Sequence, residues 1–323
     1  MIEHPEPKVV VSKCLGFKKC RYNGQKIPDE FVQTKLIDHV NYLPVCPEEE
    51  IGLGTPRNPI RIGRKEGELR MVQPATGKDV TDKMRNFTEE FLGGLEDIDG
   101  FLMKNRSPSC GINDVKVYHH LDEPTGSDRG QGFFGGKLND YFPLAAIEDE
   151  GRLNNFRIRE HFLTKLFTKA RFKELKKDKD IGALMDFHGK HKYLFLAYNE
   201  EAMREAGKIV ANHEDYSIGE VYSKYEEKIK EILKNKAKYT AIINSLHHAF
   251  GGISDNLSSD EKEFFLNSVE EYRDERIPLS TVIHMLKSYA LRFDNDYLKN
   301  QVLLEPYPKE LMDITDSGKG RDY

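Results

Sequence analysis

The chain has 323 residues, of which 38% are hydrophobic and 32% charged, with a formal net charge of -5. That length suits two domains better than one, and its four cysteines are too few for a disulfide scaffold. No run approaches the roughly 20 apolar residues of a membrane helix. The opening Met-Ile-Glu-His-Pro-Glu-Pro has no basic stretch followed by an apolar one, so no secretory signal is expected and the expected location is the cytoplasm.

The first half alternates strand and helix signals. Lys8–Ser12 is a β-branched apolar run that reads as a buried strand. Residues 29–39 carry apolar positions at helical spacing. Asn41–Val45 is a second extended run, whose proline calls for a strand end or an edge. Residues 80–95 read as a helix with Met84, Phe87, Phe91, Leu92 and Leu95 near one face. Gly100–Met103 is a third strand and Val115–Tyr118 a further one. Such alternation predicts an α/β class with a Rossmann-like open sheet, largely parallel. Gly126–Gly136 holds five glycines and reads as a mobile loop; no strand leads into it, so it fits a phosphate loop poorly.

From about Leu153 onward the pattern is helical. Helices are expected over residues 153–175, 181–197, 200–210, 218–233, 239–250, 258–272, 279–293 and 297–303. Ser258 with Glu261 forms a capping-box pattern, and Pro278 opens a helix where its missing N–H costs little. The expected division is an α/β domain over 1–150 and an all-α domain over 151–323, with a polar, frayed tail over 313–323. Residues 152–179 carry ten basic and three acidic positions, which reads either as a solvated helix face or as a surface for a polyanion.

Three of the four cysteines follow predicted strands. Cys14 lies past the first, Cys46 past the second and Cys110 past the third. In an open parallel sheet the C-terminal strand ends face one crevice, where ligands bind. Gly16, Pro47, Pro108 and Gly111 keep the backbone beside these thiols irregular, which frees N–H groups to bond cluster sulfides. Three thiolates are incomplete for a closed zinc site and suit a 4Fe-4S cluster with one open iron. Taken singly, each cysteine also reads as a small buried hydrophobe. Cys20 is either a fourth ligand or an accessory thiol near substrate.

Ser12-Lys13-Cys14-Leu15-Gly16 with Cys20-Arg21-Tyr22-Asn23-Gly24, Pro44-Val45-Cys46-Pro47-Glu48 with Gly52-Leu53-Gly54 and Pro56-Arg57, and Ser107-Pro108-Ser109-Cys110-Gly111 resemble the TudS-type thiouracil desulfidase family over residues 8–148. The resemblance implies a 4Fe-4S cluster held by Cys14, Cys46 and Cys110 and removal of sulfur from thiolated uracil. His188-Gly189-Lys190-His191-Lys192, Asn244 to Gly251, Tyr272-Arg273, Ile277-Pro278-Leu279 and Gln301 to Pro308 resemble the YbgA-type helical domain. In such fusions the implied substrate is 4-thiouridine in tRNA, with the helical domain helping to bind the RNA.

Replacing a C4 thiocarbonyl by oxygen needs a thiophilic Lewis acid, an attacking water and a base. Glu48 is the expected acid/base; its alternative reading is a charge at a helix start. Ser107 and Ser109 are expected to hydrogen-bond substrate or water, and Lys104 and Arg106 to hold a nucleotide phosphate. Arg157, Arg159, Lys165, Lys169 and Lys228 are candidate RNA contacts. His188 and His191 lack a third metal ligand at suitable spacing and read as packing or RNA contacts. The competing readings are a desulfidase of free thiouracil or its nucleotides, and a non-catalytic RNA-binding or metal- or redox-sensing protein.

Overall fold

A computed structural model describes residues 2–121 and 126–313. The tail expected to fray lies, beyond Asp313, outside the described residues. The described residues divide into two compact units, one of Glu6–Ala170 with 310–313, the other of 2–5 with Arg171–Lys309. No described helix is long and apolar enough to cross a membrane.

The strands are β1 (Lys8–Ser12), β2 (Asn41–Val45), β3 (Arg61–Lys65), β4 (Glu68–Gln73), β5 (Lys78–Asp79), β6 (Gly100–Met103), β7 (Val115–Tyr118), β8 (Ser127–Gly130) and β9 (Ala146–Asp149). The first unit also carries the short α1 (Pro47–Glu50), α2 (Thr81–Gly93), α3 (Leu138–Tyr141) and the start of α4 (Phe156–Asp178). One sheet has the order β2-β1-β6-β9 and is parallel throughout. Val9, Val10 and Val11 of its central β1 are fully buried, as expected for a parallel strand covered on both faces. The chain leaves β1 toward β2 and later returns through β6 toward β9, so the order reverses between β1 and β6. At such a switch point the loops leave a crevice.

A second sheet, β5-β4-β3-β7-β8, was not expected. It is antiparallel except where β3 runs parallel to β7, so Val115–Tyr118 belongs here and not to the parallel sheet. Its strands are short and rich in charged residues, which left little apolar alternation to read. Residues 29–39 form a π turn over Phe31–Lys35 and a 3-10 turn over Ile37–His39 in place of a regular helix.

The glycine-rich segment is also more ordered than expected. It contains β8 and then packs its backbone onto the loop that carries Cys110. Gly132 N–H donates to Gly111 O (2.7 Å), Phe133 N–H to Pro108 O (3.1 Å), and the N–H groups of Phe134 and Gly135 to Ser109 O (both 3.0 Å). A Cβ on Gly132 would lie 2.4 Å from Ser109 O, and one on Gly135 2.3 Å from Cys110 O. Both glycines are there for close approach, and Phe134 fills the core beside Val10, Val45, Phe101 and Cys110.

Close approach also explains where the units divide. A Cβ on Gly100 of β6 would lie 2.7 Å from Leu166 of α4, and Lys169 sits 3.9 Å from the buried Asp99. The first half of α4 therefore packs with the parallel sheet, and the compact unit runs on to Ala170.

The other unit is helical: α5 (Ile181–Tyr198), α6 (Glu200–Ala211), α7 (Ile218–Ile232), α8 (Tyr239–Gly251), α9 (Ser259–Arg273), α10 (Leu279–Arg292) and the short α11 (Asp296–Lys299). Full capping boxes start α7 (Ser217 with Glu220) and α9 (Ser258 with Glu261). His191 is buried; its Nε2 accepts from Arg171 Nε (3.2 Å), so its Nδ1 donates to Phe187 O (2.8 Å). Burial holds this imidazole well below its ordinary pKa. His188 Nδ1 meets Tyr225 Oη at 3.0 Å. Both histidines are packing groups.

Gly135→Ala is expected to lower stability by about 1–3 kcal/mol through overpacking against the Cys110 loop, read from the urea midpoint. Gly219→Ala on α7, with nothing within 4 Å of the added Cβ, is expected to be neutral or stabilising.

Candidate active site

The loops after β1, β2 and β6 carry the cysteines to one end of the parallel sheet. Cys14 and Cys46 lie close enough to Cys20 to shift its thiol, and the Cys46 thiol donates to Cys20 O at 3.8 Å. Cys110 is buried and feels the charge of Cys46 and Glu48. Cys20, Cys46 and Glu49 offer donor atoms within 4.8 Å of one another, which among the described residues makes them a possible metal-holding group. The four thiols thus gather, and Cys20 lies among the others. The expectation of three strand-end cysteines had left its place open.

This donor set is soft. Thiols grouped this way suit an iron–sulfur cluster or zinc, not magnesium or calcium. As free thiols, Cys20, Cys46 and Cys110 are held protonated. A hydrogen bond with Cys14 is the largest cause pushing Cys20 up to about 12. Cys46 is raised further, chiefly by its hydrogen bond with Cys20 and then by burial. Burial pushes Cys110 up to about 12, against hydrogen bonds from Ser12 and Ser109. Loading a metal group must therefore displace protons.

At the edge of the thiols sits Glu48, on the first turn of α1, whose start Pro47 sets. Arg57 donates to Glu48 Oε2 from Nε (2.7 Å) and also from Nη2. Ser109 Oγ donates to Glu48 Oε1 (2.8 Å). Ser107 Oγ lies 3.0 Å from Ser109 Oγ and accepts from Cys110 N–H at 3.1 Å. Arg57 Nη1 donates to Cys20 O (3.0 Å), Gly54 O (2.8 Å) and Thr55 Oγ1 (3.2 Å). Burial works to lower the Arg57 pKa, but the charge of Glu48 and their hydrogen bond outweigh it and leave it above its ordinary value. Glu49 takes a hydrogen bond from Thr55 (3.1 Å) and an ion pair from Lys18 (3.2 Å).

Three residues with a defined part here, Arg57, Gly132 and Gly135, had no assigned role at the outset. Arg57 stood inside a motif, but nothing in its spacing tied it to Glu48. The glycines of 132–135 supply the backbone that supports Ser109 and Cys110.

The expected phosphate holders differ in placement. Lys104 Nζ is engaged by Glu150 and Asn105 at the end of the parallel sheet. Arg106 is exposed, has a φ of 56°, and pairs with Asp114 at 3.1 Å. Of the expected RNA contacts, Arg157, Arg159, Lys165 and Lys169 fall in the α/β unit. Arg159 is buried and donates to Leu153 O (2.8 Å) and to Asp313 O (2.5 Å). Burial, with Lys169 nearby, pushes Lys165 down to about 8. Arg157 is exposed. Lys228 on α7 is held by Glu205 and by Glu231 (2.9 Å).

With this geometry in view, comparison with known proteins identifies the first unit. Residues 9–150 match the family model for 2-thiouracil desulfurase. The uncharacterized protein YbbK of Bacillus subtilis (strain 168) is 34% identical over 110 residues, 32% of this chain and 72% of that protein. The chain belongs to the 2-thiouracil desulfurase family. Residues 192–308 match a second family, a protein of unknown function (DUF1722). The uncharacterized protein YbgA of Escherichia coli (strain K12) is 26% identical over 129 residues, 40% of this chain and 76% of that one. A solved structure, the 4Fe-4S-dependent thiouracil desulfidase TudS, is 29% identical and spans 46% of this chain and 93% of its own, with a TM-score of 0.37.

In metal-free protein at pH 8, iodoacetamide is expected to modify half-buried Cys14 before the buried Cys20, Cys46 and Cys110. Time-resolved peptide mass spectrometry checks the order. Early modification of Cys110 would contradict its placement in the core.

Proposed function

We propose that this desulfurase-family chain removes sulfur from thiolated uracil, with 4-thiouridine in tRNA as substrate and uridine and hydrosulfide as products. The observation that carries the reading is the carboxylate of Glu48, held between Arg57 and Ser109 at the edge of four gathered thiols.

Cys14, Cys46 and Cys110 would hold a 4Fe-4S cluster, leaving Cys20 as an accessory thiol beside them. When bound, the cluster supplies a thiophilic Lewis acid at an open iron, with no net electron transfer.

The chain's own groups manage the water and its protons. Both Arg57 donors go to Glu48 Oε2, and Ser109 occupies one lone pair of Oε1. The second lone pair of Oε1 remains to accept from a water. Glu48 takes one proton from that water as its oxygen adds to C4 of the ring. As the tetrahedral carbon collapses, the C–S bond breaks and sulfur departs with its electron pair. The water's second proton passes from the new C4 hydroxyl to the sulfur, so that one oxygen enters, one sulfur leaves as hydrosulfide, and the first proton passes from Glu48 to solvent. The Ser107–Ser109 pair keeps the carboxylate's second oxygen fixed and anchors the backbone at Cys110. In tRNA the target base must leave its stack to reach this recess, at a cost of a few kcal/mol.

Iron-loaded protein incubated without oxygen with 4-thiouridine-containing tRNA is expected to release one hydrosulfide per uridine formed. Sulfide from free 4-thiouracil or its nucleotide but none from tRNA would favour the small-molecule reading, and none from any of the three would refute desulfuration. Glu48→Gln is expected to lower kcat by about 100- to 10,000-fold with iron content retained.

A further inference from the structure

We infer that the second sheet carries a binding site for the phosphate groups of a polynucleotide, centred on Arg61, Lys116 and Arg129. This rests on the desulfidase reading only for the base that the same strand would deliver.

A cleft of about 480 Å³ opens beside the Cys110 loop, with Arg61, Arg106, Lys116 and Arg129 among its lining residues. Asp114 is its one acidic lining residue, and it pairs with Arg106 (3.1 Å) and Arg129 (3.0 Å). Four cations against one carboxylate leave an excess of three positive charges. Arg61 and Lys116 have no ion-pair partner among the described residues.

Strand register lines these cations up. Lys116 of β7 is the direct partner of Arg129 on β8. Ile62 of β3 pairs with Val117 of β7, so one step back Arg61 stands beside Lys116. Side chains at matched positions on neighbouring strands share a face, with strands about 4.8 Å apart. Arg61, Lys116 and Arg129 therefore form a row across three strands. Like charges directly opposite one another destabilise a sheet, so the row costs stability unless an anion neutralises it. Arg61 also lies over the Tyr118 ring at 5.4 Å, which fixes its guanidinium toward the cleft. Guanidinium groups suit the paired oxygens of phosphates.

The cleft is also close to the chemistry. Pro108 lines it and stands two residues before Cys110, a backbone reach of at most about 7 Å. Arg61 follows Arg57, the partner of Glu48, by four residues, at most about 14 Å. A strand whose backbone lies along the row can thus present a base to the thiols. By contrast, Arg159, Lys169 and Lys228 are engaged within the chain, which moves the expected anion contact from α4 and α7 to this sheet.

The test uses the full-length, iron-loaded protein and an Arg61→Gln/Lys116→Gln double variant, both exposed positions, with circular dichroism melting to check the fold. The readouts are kcat/KM for thiolated tRNA and for 4-thiouridine 5′-monophosphate, each divided by that for free 4-thiouracil, and the salt dependence of tRNA binding. For tRNA the ratio is expected to fall tenfold or more, with the slope of log K against log salt shallower by about 2. A fall of equal size for the monophosphate would assign the row to the nucleotide's own phosphate and overturn the polynucleotide claim. Unchanged ratios and slope would overturn the site altogether. Should the wild type turn over none of the three, the desulfidase reading fails, while the change in tRNA affinity and salt slope still decides the phosphate site.

Discussion

A single buried guanidinium ties the cysteine segments together. Arg57 holds the Glu48 carboxylate two residues after Cys46, takes the carbonyl of Cys20, and through Glu48 reaches Ser109 beside Cys110. Only 4% of the Arg57 side chain and 13% of the Glu48 side chain are exposed. Removing one member of such a pair strands the other charge, at a cost of about 3–5 kcal/mol. The pair is weak evidence for net stability, since a well-packed apolar pair can do as well. Its value lies in fixing one geometry: the carboxylate, two serines and four thiols are all positioned relative to it.

The parallel sheet supplies the gathering. β1 lies between β2 and β6, so the loops that follow these strands open side by side where the strand order reverses. The second sheet and the glycine segment then brace the loop from β6 to β7 from behind. Backbone donors from Gly132 to Gly135 take carbonyls of that loop that would otherwise be buried without partners. The same loop turns its other side, through Arg106 and Pro108, to the cationic cleft. One short stretch of chain, residues 104–111, thus separates the thiols from the phosphate row.

Much of this was legible in the sequence. The runs Lys8–Ser12 and Gly100–Met103 matched their strands because buried parallel strands are continuous apolar stretches, and Asn41–Val45 is an edge strand, as its proline called for. The placing of Cys14, Cys46 and Cys110 past successive strands followed from strand ends and chain order alone, whereas the grouping of Cys20 with Cys46 and Glu49 did not. The second sheet was not legible: β3 reads Arg-Ile-Gly-Arg-Lys, half-charged and short. Nor could the Arg57–Glu48 pair be seen, because a contact across a loop leaves no period. The glycine cluster was misread because glycine signals close approach as readily as mobility. The packing of the first half of α4 with the parallel sheet was hidden because helical spacing marks a helix and not the unit against which each half packs. The basic run on α4 read as a solvated face or a polyanion surface, while its Arg159 and Lys169 are bound to neighbours within the fold.

The central claim is that Cys14, Cys46 and Cys110 hold an iron–sulfur cluster beside Glu48. Its most direct test is the iron and acid-labile sulfide content of protein purified without oxygen. About four of each per chain are predicted, falling sharply in Cys110→Ser. Stoichiometric zinc, or little iron after anaerobic reconstitution, would contradict the account and leave a binding protein in its place.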